Sequence, residues 1–579
     1  MPEKGVRVSK RPFIQFVSAL LFAAASSLLL SAQAAGPAAA SPKPLNLPAV
    51  APAADCTALA AADISKTIGT SAKILSAAVV DDGKTPAYCK VKVNIEDFID
   101  FEVHLPQANW SQRLLFSGNG YRPPAGMGEW VTTTWSDLGH RAHEEVFAGD
   151  YEHRIDYGYR SMHLIVVSSK ALIGKYYNQG PKFTYYAACS EPAREGMVDL
   201  ERYPNDYDGV AAGCTPMPMT VNNGIYNTWN MVLNARPDGS AILHNDKLPL
   251  IHQTVLDQCD AADGLKDGLV SDPYNCHPDL SVIQCKAGQD PSACLSADEI
   301  RVTMEVYRSA HDDQGNQLVP TGPLPGSELA WAGLIAAGPG IAANYQEARD
   351  GTAKAVRSLY SDPPLPESFK ISDIKFDKAT FDALTKLHYI YDGTDADLAA
   401  FSKAGHKLLL WHGLADVMVP TAYSLNYYAA LQKTLGQKTL NGFVRFYLFP
   451  GVYHCGGGQG PGIRDFLAPL TAWVEQGIAP SVLTAVHTPQ SPRNLGPGST
   501  PESGQPPAPD MTRPVYPYPY TAKYKGTGDF HDAANFVQGP PMKVPDSIYR
   551  WFGSDLYKAD YLKECTGVGA TFTNCKNVH

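Results

Sequence analysis

Ser190, Asp416 and His454 are the residues of this chain whose types and settings could carry out acyl transfer. A serine hydroxyl becomes a useful nucleophile when a histidine takes its proton and an acid holds that histidine in the right tautomer. Ser190 stands between an aromatic run, Phe183 to Cys189, and Glu191-Pro192, where proline suits the first turn of a helix. A strand, a tight turn and a helix built this way would lift Ser190 Oγ out of a sheet. The next N–H, that of Glu191, would then face the oxyanion of a tetrahedral intermediate. Asp416 follows the apolar run Lys407 to Trp411, and His454 follows Val444 to Phe449, so each sits in a loop after a late strand. Cys189 immediately precedes the serine and Cys455 immediately follows the histidine. A bridge between them would hold their α-carbons at about 5.5 Å and bring Ser190 within reach of His454.

Several elements must position these residues. Leu114-Leu115-Phe116 runs into Ser117-Gly118-Asn119-Gly120-Tyr121, an apolar strand ending in a glycine turn. Gly120 is a candidate second oxyanion donor, and an ordinary turn accounts for the same residues equally well. Cys89 to Asn94 and Asp100 to Leu105 alternate apolar and polar side chains, as half-buried strands do. Tyr157 to Tyr177 carries apolar residues at helical spacing. Strands alternating with helices predict a parallel sheet covered on both faces, and the chain order serine, acid, histidine is that of an α/β-hydrolase core. From about residue 216 the rhythm is lost to loops, prolines and cysteines, and it resumes near 390. The expected organisation is a core in two parts, 55–215 and 391–545, around an insertion at 216–390. A Pro-rich loop at 492–512 and a C-terminal extension at 546–579 complete it.

Length and composition narrow the function classes. The chain has 579 residues with 44 % hydrophobic content, too many for one ordinary core. Lys4, Arg7, Lys10 and Arg11 precede an apolar run from Phe13 to Leu30 and the small-residue site Ala32-Gln33-Ala34, so residues 1–34 read as a signal peptide. The Ala/Pro-rich stretch 35–54 reads as a tether. Those four cations and Glu3 would leave with the signal, moving the formal charge from −10 to −13. With no basic block, nucleic acid is not an expected partner, and no later apolar run reaches membrane-spanning length. Eleven cysteines in an exported chain point to disulfides with one sulfur left over. His140, His163, His406 and His412 lie in or beside core elements, and none has the spacing of a zinc helix.

A second constellation runs from Cys259 to Leu269, Cys-Asp-Ala-Ala-Asp-Gly-Leu-Lys-Asp-Gly-Leu, and is followed by Cys276. Asp260, Asp263 and Asp267 could offer carboxylate oxygens and Leu265 and Leu269 carbonyl oxygens to a hard cation. A solvated acidic turn explains the same spacing.

Together these segments resemble the tannase and feruloyl esterase family of secreted serine esterases, which includes bacterial hydrolases of mono(2-hydroxyethyl) terephthalate. The likeness runs from about Cys56 to Phe536. It rests on Asp156-Tyr-Gly-Tyr-Arg160, Cys189-Ser190 with Arg194 and Gly196, Arg202-Tyr-Pro-Asn-Asp-Tyr-Asp-Gly209 and the Cys259 to Leu269 loop. Trp411-His-Gly-Leu-Ala-Asp416, Tyr453-His-Cys-Gly-Gly-Gly458 and the segment Lys525 to Phe536 complete it. The resemblance implies an α/β-hydrolase core whose insertion is a lid, structural calcium at the acidic loop, and a Cys189–Cys455 bridge. It also implies the pairs Cys56–Cys89, Cys259–Cys276 and Cys285–Cys294. With Cys565–Cys575 as a separate C-terminal staple, Cys214 is left free. Two departures stand out: Pro192-Ala193 replaces the family's usual Gly-Gly after the nucleophile, and Tyr516 and Gln538 stand where relatives often carry a cysteine pair. The expected function is a secreted or periplasmic carboxylesterase acting on small aromatic acid esters of the feruloyl or galloyl type. A terephthalate half-ester hydrolase and a catalytically silent binding protein on the same scaffold are the alternatives.

Overall fold

Nine strands form one mixed sheet among the described residues, six of them on runs named from the sequence. They are β1 (Ala72–Val80), β2 (Tyr88–Ile95), β3 (Ile99–Pro106), β4 (Trp110–Ser117), β5 (Glu129–Ser136), β6 (Phe183–Cys189), β7 (Gly209–Gly213), β8 (Lys407–Gly413) and β9 (Val444–Phe449). This computed structural model describes residues 45–118, 121–138, 149–338, 345–463, 465–487, 510–559 and 561–578. The expected signal peptide, the tether up to residue 44, Gly120, His140 and most of the Pro-rich loop lie outside the described residues. Residues 45–54, expected as tether, instead pack on the body of the protein, with the Val50 N–H donating to Trp110 O at 2.9 Å and the Ala53 N–H to Tyr176 O at 2.8 Å.

The strand order is β1-β2-β3-β5-β4-β6-β7-β8-β9. The first three strands and the β3–β5 pair are antiparallel, and every pair from β5 to β9 is parallel. That difference explains the two sequence patterns. In β2, Cys89, Val91 and Val93 are buried while Lys90 and Lys92 are not, as in a strand with one wet face. From Thr184 to Cys189 every residue of β6 is buried, as in a parallel strand covered by helices on both sides. One of those helices, Leu467–Gln476, is tied to the sheet by Glu475. Its carboxylate accepts from Arg113 Nε at 2.6 Å and Nη2 at 2.7 Å and from Tyr185 OH at 2.9 Å. The pair is almost fully buried, so losing either partner would strand a charge in the interior.

The predicted helix is present but not regular. Tyr151–Ile155 and Ser161–Tyr177 are joined through a widened turn at Asp156–Arg160, where the Ser161 N–H bonds to the Asp156 carbonyl five residues back. Between β7 and β8 the chain leaves the sheet. This excursion carries the helices Leu248–Cys259, Ala297–Arg308 and Tyr345–Ser358. Its own apolar cluster, including Leu243, Ile251, Val302 and Trp331, closes on Ala415, Val417 and Tyr453. Those three residues flank Asp416 and His454, so the excursion packs directly against the loops that carry them.

Five disulfides join Cys56–Cys89, Cys189–Cys455, Cys259–Cys276, Cys285–Cys294 and Cys565–Cys575, and Cys214 is free and buried. Three two-stranded ribbons follow the main sheet: β10 (Leu483–His487) with β11 (Met511–Val515), β12 (Tyr520–Tyr524) with β13 (Phe536–Pro541), and β14 (Lys563–Val568) with β15 (Thr571–Asn577). The last is the hairpin that Cys565–Cys575 staples. It docks where Gly569 O accepts from the Tyr151 N–H at 2.7 Å and Ala570 O accepts from Arg154 at 2.9 Å. Among the described residues no helix is long and apolar enough to cross a membrane.

Candidate active site

Ser190 occupies the turn between β6 and the helix Glu191–Arg202 with φ 67° and ψ −138°. This backbone conformation is unfavourable for a residue with a Cβ, and it persists because both sides are fixed. The Ser190 N–H donates to Gly213 O at 2.8 Å on the neighbouring strand, and the Ser190 carbonyl accepts from the Arg194 N–H at 3.1 Å to open the helix. As the first residue of that helix, Glu191 has a backbone N–H with no intrahelical acceptor, which is the condition for an oxyanion donor. Its side chain accepts from Arg194 Nη2 at 2.7 Å and from Tyr157 OH at 3.1 Å. Arg194, fully buried, also donates to Gly158 O at 2.7 Å and Tyr391 O at 3.1 Å. The elbow is thereby anchored to the widened helical turn.

Pro192 and Ala193 do not disrupt this geometry, because space is made from the other side. A Cβ on Gly118, at the end of β4, would stand 2.8 Å from the Cβ atoms of both Pro192 and Ala188. The chain therefore places its close-approach glycine beneath the turn instead of within it. Gly118→Ala is expected to cost about 1–3 kcal/mol by overpacking. Gly180→Ala, where an added Cβ meets nothing within 4 Å, serves as the control. Chemical denaturation of the two variants checks this, and equal stabilities would refute the close contact.

The three predicted residues meet. His454 Nε2 lies 2.7 Å from Ser190 Oγ, and His454 Nδ1 lies 2.8 Å from Asp416 Oδ2. Asp416 Oδ1 accepts from the N–H groups of Met418 at 2.9 Å and Val419 at 3.0 Å. Burial by itself would raise this carboxyl, but the charge and hydrogen bonds of His454 and His412 outweigh it and hold Asp416 well below the usual carboxylate range. The Cys189–Cys455 bridge, with α-carbons 5.7 Å apart, clasps the two loops beside this contact. Cys214 Sγ accepts from the Cys455 N–H at 3.4 Å. Burial, and then the neighbouring Asp416 charge, push its thiol well up, so it stays protonated and unreactive.

Two features of the site lie in segments that carry the family resemblance, but their geometry is not legible in the residue types. One is the widened turn at Asp156–Arg160. The other is His412, which reads in sequence as a core histidine. It is indeed buried, yet its Nε2 lies 3.2 Å from Asp416 Oδ2, the oxygen that His454 also uses.

The acidic loop is folded on itself. Asp260 is buried and accepts from the N–H groups of Asp267 at 3.0 Å and Gly268 at 2.9 Å. Asp263 accepts from Leu265 N–H at 2.9 Å, and Asp267 from Leu269 N–H at 3.3 Å and Arg513 Nη2 at 2.8 Å. Burial raises Asp263 and Asp267 from the usual aspartate value, and repulsion among the loop's acids adds to it. Arg513 lowers both but does not cancel the effect. An all-oxygen set of acids suits a hard divalent cation in charge and ligand type, although Asp260 already accepts from two backbone N–H groups and Asp267 from Arg513. Its carboxylates are spread along the loop: among the described residues, the trios of potential ligands within 4.8 Å of one another are Cys214/His412/Asp416 and His163/Asp199/Asp206.

Residues 85–538 match the family model described as tannase and feruloyl esterase. A probable feruloyl esterase B-2 from Aspergillus terreus is 31 % identical over 465 residues, covering 75 % of this chain and 82 % of that protein. A mono(2-hydroxyethyl) terephthalate hydrolase from Piscinibacter sakaiensis is 29 % identical over 441 residues, 68 % of this chain and 70 % of that one. Among solved structures, feruloyl esterase B from Aspergillus oryzae superposes with a TM-score of 0.68 at 24 % identity. It covers 83 % of this chain and 99 % of its own. At that identity the superposition speaks for the fold, an α/β-hydrolase-type sheet with its helices.

Proposed function

The chain belongs to the tannase and feruloyl esterase family of carboxylic ester hydrolases, and from that premise we propose that it is an exported serine esterase of the Ser-His-Asp type. The observation that carries this reading is the continuous run of short contacts from Ser190 Oγ through His454 to a buried, ionised Asp416. Ser190 Oγ attacks the ester carbonyl while His454 Nε2 takes its proton, and the carbonyl electrons move onto oxygen in front of the Glu191 N–H. When the intermediate collapses, His454 returns the proton to the departing alcohol and an acyl-Ser190 remains. A water, deprotonated by the same nitrogen, releases the acid. Asp416 keeps the Nδ1 proton in place and stabilises the imidazolium throughout.

The substrate is an ester of an aromatic acid, with hydroxycinnamates and gallates first and a terephthalate half-ester next. Pro192 lying over Gly118 supports a working elbow over a silent binding scaffold. The test is acid release from methyl ferulate, methyl gallate and mono(2-hydroxyethyl) terephthalate by the purified protein. The ranking of kcat/KM selects the substrate, and no turnover of any of the three would overturn the reading.

Asp260, Asp263 and Asp267, with the carbonyls of Leu265 and Leu269, would hold a calcium ion, which supplies positive charge to an acidic loop and takes no part in the chemistry. Chelation is therefore expected to lower Tm by several degrees while leaving kcat per folded molecule unchanged. A site saturated a hundredfold over its Kd contributes about 2.7 kcal/mol. Calorimetry with and without chelator checks it, and an unmoved Tm in metal-free protein would remove calcium from the proposal.

A further inference from the structure

A cleft of about 760 Å³, its open mouth included, lies between the acidic loop and the C-terminal ribbons, and none of Ser190, Asp416 and His454 lines it. We propose that this cleft binds a small neutral phenol. Leu448 at the end of β9, Leu265 and Leu269 of the acidic loop, and residues of β11, β12 and β13 form its walls. Tyr516, Tyr518, Tyr520, Tyr524 and Phe536 bring five aromatic rings to it, and four prolines stand among the lining residues. The fold fixes this wall before any ligand arrives. Tyr516 and Phe536 are buried, the Tyr518 N–H donates to Phe446 O at 2.7 Å on β9, and β12 pairs with β13. Rings and prolines present flat, stiff faces, which suit a flat apolar ligand and lose little freedom on binding it.

The polar contacts narrow the ligand further. Arg513 is the one cation among the lining residues. It is 7 % exposed, its guanidinium lies 4.1 Å from the centre of the Phe536 ring, and its Nη2 donates to Asp267 Oδ2 at 2.8 Å. Its Nε has no acceptor among the described residues, and a buried N–H left unmatched is costly. An oxygen on a ring stacked in the cleft beside Phe536 would supply that acceptor. Charge decides which kind of oxygen. Asp260, Asp263 and Asp267 outnumber Arg513, and a divalent ion at the loop would bring the group to neutrality, so in neither state is positive charge left over for a carboxylate. A phenol brings the ring and an acceptor oxygen without the charge, since its hydroxyl ionises near pH 10. Thr521, also in the wall, gives its own hydroxyl hydrogen to Pro540 O at 2.9 Å and so keeps lone pairs for a phenolic O–H.

This site needs no chemistry at Ser190, and the test keeps the two readings apart. A fluorophosphonate first caps Ser190, with capping read by intact mass, and 2-methoxyphenol is then titrated by ligand-observed NMR. One site with a Kd of about 1 mM is expected, in keeping with so small a ligand. Benzoate, an anion of similar size, should bind about tenfold more weakly or worse. Ala522→Trp, which places an indole in the cleft from β12, should weaken 2-methoxyphenol by about tenfold. Arg513→Lys keeps a cation for Asp267 but has no Nε–H, and it should cost about fivefold. Tyr520→Ala, at an exposed position of the same wall, should cost about threefold and covers the case in which a bulkier change fails to fold. Circular dichroism and Tm establish that each variant is folded. No saturable binding of 2-methoxyphenol, or unchanged affinity in folded Ala522→Trp and Tyr520→Ala, would overturn the proposal. So would benzoate binding as tightly as 2-methoxyphenol, which would make this a site for an anion. If Ser190 takes no cap and no ester is turned over, the esterase reading fails, and the titration of uncapped protein decides this site by itself.

Discussion

Ser190→Ala is expected to fold normally and to lose about 10⁶-fold in kcat on every ester the protein turns over. The size of the effect follows from the arrangement of the site. His454 Nε2 has its one reacting partner in Ser190 Oγ, so removing the hydroxyl disables the nucleophile and leaves the base nothing to activate but water. What survives is binding and the Glu191 N–H, which together still accelerate hydrolysis over solution by roughly 10³–10⁴. Asp416→Asn should cost about 10⁴, since an amide cannot keep the same histidine tautomer. Product release followed by chromatography, with the fluorophosphonate label as a count of live sites, measures both. Residual Ser190→Ala turnover within tenfold of wild type would remove Ser190 as the nucleophile.

The second large effect belongs to the Cys189–Cys455 bridge. Replacing both cysteines with serine is expected to reduce kcat about a hundredfold and to lower stability by roughly 3–5 kcal/mol. A one-ångström misplacement of reacting groups accounts for the first figure, and the closure of a very long loop for the second. Ser190 and His454 are each one residue from a bridged sulfur, so slack in the bridge is transmitted directly to the 2.7 Å contact. The expected signature is a loss in kcat that exceeds the loss in folded fraction at the same temperature. Alkylation mapping of the wild type under mild reductant provides an independent arm. Full activity with both sulfurs alkylated would show that the sheet alone positions the site.

The sequence was most legible where chemistry and pattern coincide. β6, β8 and β9 are apolar runs ending at Ser190 or just before the loops of Asp416 and His454, and flanking cysteines tied two of these ends together. β7 escaped notice because Gly-Val-Ala-Ala-Gly has little β-favouring bulk. The reason is packing: a Cβ on Gly213 would fall 1.9 Å from the Trp411 indole, so the large side chain is supplied by the neighbouring strand. β1 is an edge strand rich in alanine, with Leu75 and Val79 exposed, and its burial pattern lacks clean alternation. The widened turn at Asp156–Arg160 is a change of hydrogen-bond register that no residue type dictates. His412 was hidden for another reason, since a buried histidine on an apolar strand looks the same whether its ring meets inert neighbours or the acid of a triad. The accommodation of Pro192 required knowing that Gly118 comes to lie under it from 74 residues away, which is a fact of the sheet order and not of either segment.

The sequence separation of 266 between Cys189 and Cys455 also imposes a timetable. At about 5–20 residues per second, synthesis exposes the first sulfur roughly 13–50 seconds before the second exists. During that interval Cys214, only 25 positions on, is the nearest thiol in sequence, and a premature bond to it would lock the wrong pair. The finished protein places Cys214 beside Cys455 yet leaves it reduced and buried. Burial of Cys214 at the end of β7 removes that competitor, and the native pairing needs β8 and β9 in the sheet to bring Cys455 to the end of β6. The bond beside the site is therefore also a check on the sheet, since it forms between its native partners only when both strand ends are in place.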